Sequence, residues 1–217
     1  MTVFTREGAR WALWAPRRAS WWIAVLFAAG STCFLVGPLP LFLNLVGPAT
    51  DALVFFVGSV LFTSAAALQW WGSYPERRLH RLDWWSSSAQ LVGTLYFNAT
   101  TFRALATTVG EPSYDRLVWR PDALGSLCFL VSGVLAYVEV AGGLTHRPPA
   151  TRDGAVAASN LVGCIAFGFS AVGAFVLPAT GSEVDVALAN SMTAFGALAF
   201  LVGSLLLLRQ GSEAAAQ

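Results

Sequence analysis

Lysine is absent from this chain, and histidine occurs only twice. All thirteen cationic residues are arginine, so no lysine side chain can form a Schiff base. The two histidines, His80 and His146, lie near arginines in polar segments between apolar runs. Because neither histidine lies inside an apolar run, the sequence excludes two kinds of site at membrane depth: a haem bound by two histidines, and a serine–histidine pair.

Motifs of familiar enzymes and metal sites are missing as well. The chain has no HExxH zinc motif and no phosphate-binding loop. No two carboxylates lie deep in facing apolar runs, which argues against an aspartyl protease or a proton relay. The cysteines form no CxxC pair, so we expect buried thiols instead of disulfides or a zinc site: Cys33, Cys128 and Cys164. The sequence predicts a protein that is not an enzyme and that holds no metal or cofactor.

Charge is scarce too. Charged residues make up 12% of the chain and hydrophobic residues 56%, whereas a soluble domain has about 25% charged residues. The net charge of +1 provides no basic surface for nucleic acid. Apolar runs of roughly twenty residues can each cross a hydrocarbon layer of about 30 Å. We therefore predict an all-α, polytopic membrane protein with six transmembrane helices, at about 20–40, 51–71, 84–106, 121–142, 154–178 and 187–208.

Arginine and tryptophan predict the orientation. Ten arginines lie in an N-terminal arm (1–19), a C-terminal tail (209–217) or the loops on the same side, and three lie in the opposite segment 103–121. All tryptophans except Trp119 fall at the arginine-rich boundary. Both termini are therefore expected in the cytoplasm, with the six spans in a bacterial inner membrane. The segment from Leu39 to Pro48 is too short to cross and is expected to be a partly embedded loop.

One short pattern recurs in every predicted span: a glycine, a small residue after it, and a phenylalanine four positions on. Positions 0, +4 and +7 share one helix face, and the residues at +1, +7 and +8 are small in all spans, with the single exception of Pro38. Small residues let membrane helices approach closely, so the pattern predicts helix packing. Its members are Gly30 and Phe34, Gly58 and Phe62, Gly93 and Phe97, Gly125 and Phe129, Gly163 and Phe167, and Gly196 and Phe200.

Two repeat units are compatible with this pattern. The even spans share a leucine six residues after the phenylalanine, and spans three and five share an amide three residues before the glycine. These features favour three copies of a two-helix hairpin, at about 20–71, 84–142 and 154–208. Against this, the match of Gly30 to Val36 with Gly125 to Val131 suggests an inverted three-plus-three repeat.

The hairpins, together with the segment from Arg120 to Leu130 and with Glu139, resemble bacterial membrane proteins carrying the YrhK-like domain. The resemblance covers most of residues 18–208. It implies an integral membrane protein and transfers no catalytic residue.

A few polar residues depart from the packing pattern and are candidates for binding. Asn98 lies near the middle of span three, while Gln90 and Asn160 lie in the inner halves of their spans. Amides in hydrocarbon must find partners, so bonds between helices compete with ligand contact. Glu139 is expected to pair with Arg209 or a loop arginine. Arg103 is expected to extend towards the membrane surface, with anion binding as the alternative.

Two functions remain compatible with these features. The first is a helical bundle that acts through lipid or protein partners, including other copies of itself. The second is a small transporter or channel for a neutral or lipophilic solute, with a cavity lined by Asn98, Gln90 and Asn160. A continuous polar passage would contradict the first, and amides packed entirely against other helices would contradict the second.

Overall fold

A computed structural model describes residues 14–73 and 82–213, with side chains to residue 208. The predicted all-α class is confirmed for these residues. The helices are α1 (Ala19–Val36), α2 (Pro40–Val46), α3 (Pro48–Ser73), α4 (Leu82–Ala104), α5 (Arg120–Ala141), α6 (Arg152–Gly173) and α7 (Val186–Glu213), and a π-helical segment (Asp115–Trp119) leads into α5. The outer part of the predicted N-terminal arm, the loop with His80, and the side chain of Arg209 lie outside the described residues.

Two differences from the expected boundaries affect the connections between helices. The segment expected as a partly embedded loop contains the short helix α2, which Pro40 begins and Gly47 ends with φ +79°. The positive φ at Gly47, which glycine adopts without a steric penalty, turns the chain directly into α3. The predicted fifth span reached 178, but α6 ends at Gly173, after which the backbone of Val176 pairs with that of Glu183 in a tight turn.

In the described part of the chain, five helical stretches are long and apolar enough to cross a membrane: Ala19–Val36, Pro48–Ser73, Asp115–Ala141, Arg152–Gly173 and Val186–Leu208. They are consistent with a multi-pass membrane protein. Helix α4 has a comparable length but is not among them. Its sequence includes Asp83, three consecutive serines, Gln90 and Asn98, which lower its hydropathy.

The six long helices form a closed ring. Each packs against the helices before and after it in the chain, and the last helix, α7, packs against the first, α1. Helix α4 occupies a place in the ring equivalent to those of the five apolar helices. Because every connection joins neighbours, successive helices run in opposite directions around the ring.

Within three successive helix pairs, glycine and phenylalanine contact each other reciprocally. In the pair α6–α7, a Cβ on Gly163 would lie 2.6 Å from Phe200, and one on Gly196 would lie 2.6 Å from Phe167. The pairs α1–α3 and α4–α5 repeat this arrangement. At four of the six glycines a Cβ would lie 2.6 Å from the facing ring, and at Gly58 and Gly125 it would lie 3.2 Å from it, so the close contact depends on the small size of glycine. The other reciprocal contacts are Gly30 with Phe62, Gly58 with Phe34, Gly93 with Phe129 and Gly125 with Phe97.

The six phenylalanines meet at the centre of the ring and form an aromatic layer across it. All six are at most 6% exposed. Two triangles of rings stack on each other, one from α1, α4 and α6 and one from α3, α5 and α7. Centroid distances are 6.5, 5.7 and 5.9 Å within the first triangle, Phe34, Phe97 and Phe167, and 6.3, 5.9 and 5.8 Å within the second, Phe62, Phe129 and Phe200. These distances are those of edge-to-face and offset aromatic pairs.

Gly163→Ala tests the close contact. The added methyl group collides with Phe200, and we expect overpacking of this kind to lower the free energy of unfolding by about 1–3 kcal/mol. Gly168→Ala is a matched control in the same helix, because nothing lies within 4 Å of a Cβ at Gly168. Unfolding in mixed detergent micelles, followed by circular dichroism, compares the two variants. Equal stability of the two variants would contradict the assignment of Gly163 as a packing residue.

Candidate functional site: two pockets on either side of an aromatic layer

Two pockets of similar size lie at opposite ends of the ring, separated by the aromatic layer. The first, which we call the amide pocket, has a volume of about 290 Å³ and is lined on its layer side by Phe62 and Phe200. The second, the carboxylate pocket, has a volume of about 310 Å³ and is lined by Phe34, Phe97 and Phe167. Between the rings only a gap of about 10 Å³ remains. That is room for about one water molecule at most.

The amide pocket lies at the end where α4 and α6 begin. Two of the candidate amides, Gln90 and Asn160, both line it. They come together because each lies three residues before the pattern glycine of its helix, so they occupy equivalent positions in α4 and α6. The sequence interpretation missed Gln69, a third amide in this lining. The sequence did contain a clue to Gln69, because it lies seven residues after Phe62 and therefore on the same helix face.

Two carboxylates add negative charge to the lining of the amide pocket. Asp83 and Asp153 lie in the first turns of α4 and α6, each ten residues before the pattern glycine. Asp153 belongs to a capped helix start, where the Thr151 side chain accepts a hydrogen bond of 3.3 Å from the Gly154 backbone N–H. The mixture of amides and carboxylates gives this pocket both donors and acceptors.

The carboxylate pocket lies at the other end of the ring. Its lining includes the carboxylates of Asp51, Asp122 and Glu183 and the hydroxyl groups of Tyr114 and Thr193. Asp51 and Asp122 lie in the first turns of α3 and α5, where carboxylates are common, and the sequence analysis did not predict this pocket. The sequence did contain a clue to it, because Asp51 lies seven residues before Gly58 and Asp122 lies three residues before Gly125. Both spacings place a residue on or near the small-residue face.

The local electrostatics of this pocket are acidic. Burial, and then the negative charges of Glu183 and Asp122, raise the pKa of Tyr114 to about 12. Burial also raises the pKa of Glu183. Tyr114 therefore keeps its proton at neutral pH, and its hydroxyl group can donate a hydrogen bond into the pocket.

The π-helical segment positions Asp122. Trp119 and Arg120 have helical backbone angles, so α5 continues from this segment without a break. The Thr100 hydroxyl donates to the Val118 carbonyl at 2.7 Å, and the Trp119 indole N–H donates to the Ala171 carbonyl at 2.9 Å. These bonds tie the segment to α4 and α6. Such π-helical turns often lie at functional sites.

Asn98 does not line either pocket. Its Nδ2 donates a hydrogen bond of 2.9 Å to the Thr63 hydroxyl across the contact between α3 and α4. Nearby, the Ser59 and Thr101 hydroxyls form a buried bond of 2.8 Å between the same helices. Asn98 therefore holds two helices together in this structure, while its Oδ1 is shielded from solvent without a partner among the described residues.

The charged candidates also lie outside the two pockets. Glu139 is exposed on α5, and Arg103 is exposed in the last turn of α4. Neither is among the lining residues of a pocket. The predicted pairing of Glu139 with Arg209 involves a side chain outside the described residues, so it stays a prediction.

Neither a search for metal ligands nor a comparison with known proteins points to a function. Within residues 14–73 and 82–213, no three histidine, cysteine or acidic side chains are placed to hold one metal ion. The cysteines are free thiols. No family model, curated protein or solved structure matches the chain. The resemblance to YrhK-like proteins stays a prediction.

A double-mutant cycle tests the role of Asn98. We expect Asn98→Leu and Thr63→Val each to destabilise the bundle, with a coupling energy of about 1 kcal/mol for the shared hydrogen bond. Ser64 is a control, because its hydroxyl bonds to the Val60 carbonyl within its own helix. Ser64→Ala should be additive with Asn98→Leu when unfolding is followed in mixed micelles. Additivity of Thr63→Val and Asn98→Leu would argue against the structural role.

Proposed function

We propose that this chain is a small transporter or channel of six membrane spans, with a solute pathway along the axis of the ring. The observation that carries the proposal is the pair of pockets lying back to back, about 290 and 310 Å³, with one aromatic layer between them. A purely structural bundle has no need of two polar pockets on its axis. Volumes near 300 Å³ are at the lower end for small-molecule sites.

In this proposal α4 is the sixth span. Its polar side chains face the interior: Ser86 and Ser87 are at most 4% exposed, and Gln90 lines the amide pocket. Its low hydropathy therefore reflects the lining of the pathway, which need not be apolar. The hydroxyl of Ser86 donates to the Ser132 carbonyl at 3.0 Å, so this polar surface is bonded to α5.

The repeat unit in the proposal is the hairpin. Reciprocal glycine–phenylalanine contacts occur within α1–α3, α4–α5 and α6–α7, which are the three predicted hairpins. An inverted three-plus-three repeat would make α1 equivalent to α5 and would divide the reciprocal α4–α5 contacts between its two units. With the arginine-rich side in the cytoplasm, the amide pocket opens inwards and the carboxylate pocket outwards.

The aromatic layer is the closed gate of this pathway. The gap of about 10 Å³ between its rings is lined by five phenylalanines and the small side chains of Ser59 and Thr94. An apolar constriction of this width excludes hydrated solutes. Passage then requires the rings to separate, and the three hairpins are the natural moving units because each closes on itself through its own glycine contacts.

The chain catalyses no reaction in this proposal. Action through lipid or protein partners remains a separate prediction. The outer surface of the ring carries many exposed aliphatic side chains, including Leu41 and Leu45 of α2 at 81% and 80% exposure. Such a surface suits contact with lipid, or with further copies of the chain, and it does not account for the pockets.

Phe167→Ala tests the gate. Removal of this ring enlarges the gap between the pockets, and we expect the permeability of proteoliposomes to glycerol and urea to rise severalfold above that of the wild-type chain. Stopped-flow light scattering after an osmotic step measures this permeability. Phe169→Ala is the matched control, because Phe169 lies on the same helix but is 55% exposed, against 5% for Phe167.

The two variants separate the possible outcomes. An increase for Phe167→Ala but not for Phe169→Ala supports the pathway. Phe167→Leu, which keeps more of the side-chain volume, covers the case in which the alanine variant does not fold, and it should produce a smaller increase. Wild-type permeability in both folded Phe167 variants would contradict a pathway through the aromatic layer.

A further inference from the structure

The three acidic side chains of the carboxylate pocket lack the partners that other acids at this end possess. Asp115 pairs with Arg120 at 2.8 Å, and Asp185 accepts a hydrogen bond of 2.9 Å from the Leu188 backbone N–H. Glu111 accepts two bonds of 2.8 Å from Thr108. In residues 14–73 and 82–208, no hydrogen bond or ion pair reaches the carboxylates of the pocket: Asp51, Asp122 and Glu183.

The three acidic residues of the pocket are only partly exposed to water. The Oδ1 atom of Asp51 has no accessible surface and no partner among the described residues. Asp122 is half-buried and lines the same pocket. A buried carboxylate without a partner is costly, whereas an exposed one is not. The cost falls if a positively charged ligand occupies the space that these groups line.

Among the residues that the structure describes, none with a positive charge lines the pocket to neutralise its acids. Arg120, two residues before Asp122 in the chain, has a side chain that is 64% exposed and bonded to Asp115. The described part of the pocket wall therefore has acceptors and negative charge without a cation of its own.

The aromatic side chains of the pocket favour one kind of cation. Six aromatic side chains line the pocket, and those of Tyr114, Trp119 and Phe97 belong to different elements. Aromatic faces attract ammonium groups and exclude strongly hydrated ions. The acids do not converge on one point that could hold a metal ion within the described residues. A volume of about 310 Å³ fits a molecule with several carbon atoms.

We propose that the carboxylate pocket binds a small organic ammonium cation with an apolar body. The ammonium group lies near Asp122 and Glu183, and the apolar part lies against the aromatic layer. This inference deepens the proposed function and rests on it for the role of the pocket as one end of the pathway. Binding itself requires no passage, so it is measured separately from permeability.

The test uses the purified full chain in detergent and isothermal titration calorimetry with benzyltrimethylammonium. Phenylacetate, which has a similar body and the opposite charge, tests the sign of the charge, and Ca²⁺ and Mg²⁺ test for a metal site. We expect saturable binding of the ammonium probe only. Asp122→Asn should weaken that binding by about tenfold or more, because it removes a half-buried negative charge from the pocket wall.

Asp115→Asn is the matched control, since it makes the same chemical change at an exposed acid outside the pocket, and it should leave the affinity unchanged. Glu183→Gln provides a second pocket variant in case Asp122→Asn does not fold. The proposal is overturned if the ammonium probe does not bind, if phenylacetate or a divalent metal binds as well, or if the folded pocket variants bind like Asp115→Asn. If the ammonium probe does not bind but the Phe167→Ala variant is more permeable than the wild-type chain, the proposed ligand class is wrong and the proposed pathway is still supported.

Discussion

The reciprocal contact between glycine and phenylalanine is the constraint on which the rest of this structure depends. Helices in a membrane gain little from burying apolar side chains against each other, so their association relies on close packing. Here each hairpin provides two such contacts, because each of its helices has a glycine for its partner's ring and a ring for its partner's glycine. The contact fixes the height of the two helices relative to each other. Since all three hairpins share it, their rings reach the axis at one level.

The pockets follow from the same pattern. Phenylalanine fills the axis at one level only, and the positions seven and eight residues after each glycine are mostly small. In α4 and α6 these positions include Thr100, Thr101 and Ser170, which line the carboxylate pocket. In α7 they are Gly203 and Ser204, which line the amide pocket. The small residues that permit packing thus also leave space above and below the aromatic layer.

The sequence was sufficient to predict the helical class and the shared face of the pattern, because both follow from helical periodicity. It was also sufficient to relate Gln90 to Asn160, whose spacing to their glycines is the same. Asn98 was less predictable as a site residue. It lies five residues after Gly93, which rotates it by about 140° from the small-residue face and towards α3.

Asp122 was hidden from the sequence interpretation for a different reason. The Arg120-Pro121-Asp122 motif is typical of a helix start, where a carboxylate has a local structural role. In the structure the π-helical segment precedes it and supplies the preceding helical turn. No local pattern predicts that segment, because the bonds from Thr100 and from Trp119 that hold it reach α4 and α6.

The two ends of the ring are built on one plan but differ in chemistry, and this difference gives the proposed pathway a direction. A cation in the carboxylate pocket meets negative charge and the faces of the Phe34, Phe97 and Phe167 triangle, so the layer that blocks passage also contributes to binding. At the other end the amides of Gln69, Gln90 and Asn160 are neutral. Neutral dipoles attract a cation less strongly than carboxylates do, while Asp83 and Asp153 lie at the start of their helices. A solute that leaves the layer on that side therefore meets amides first and charge only at the exit.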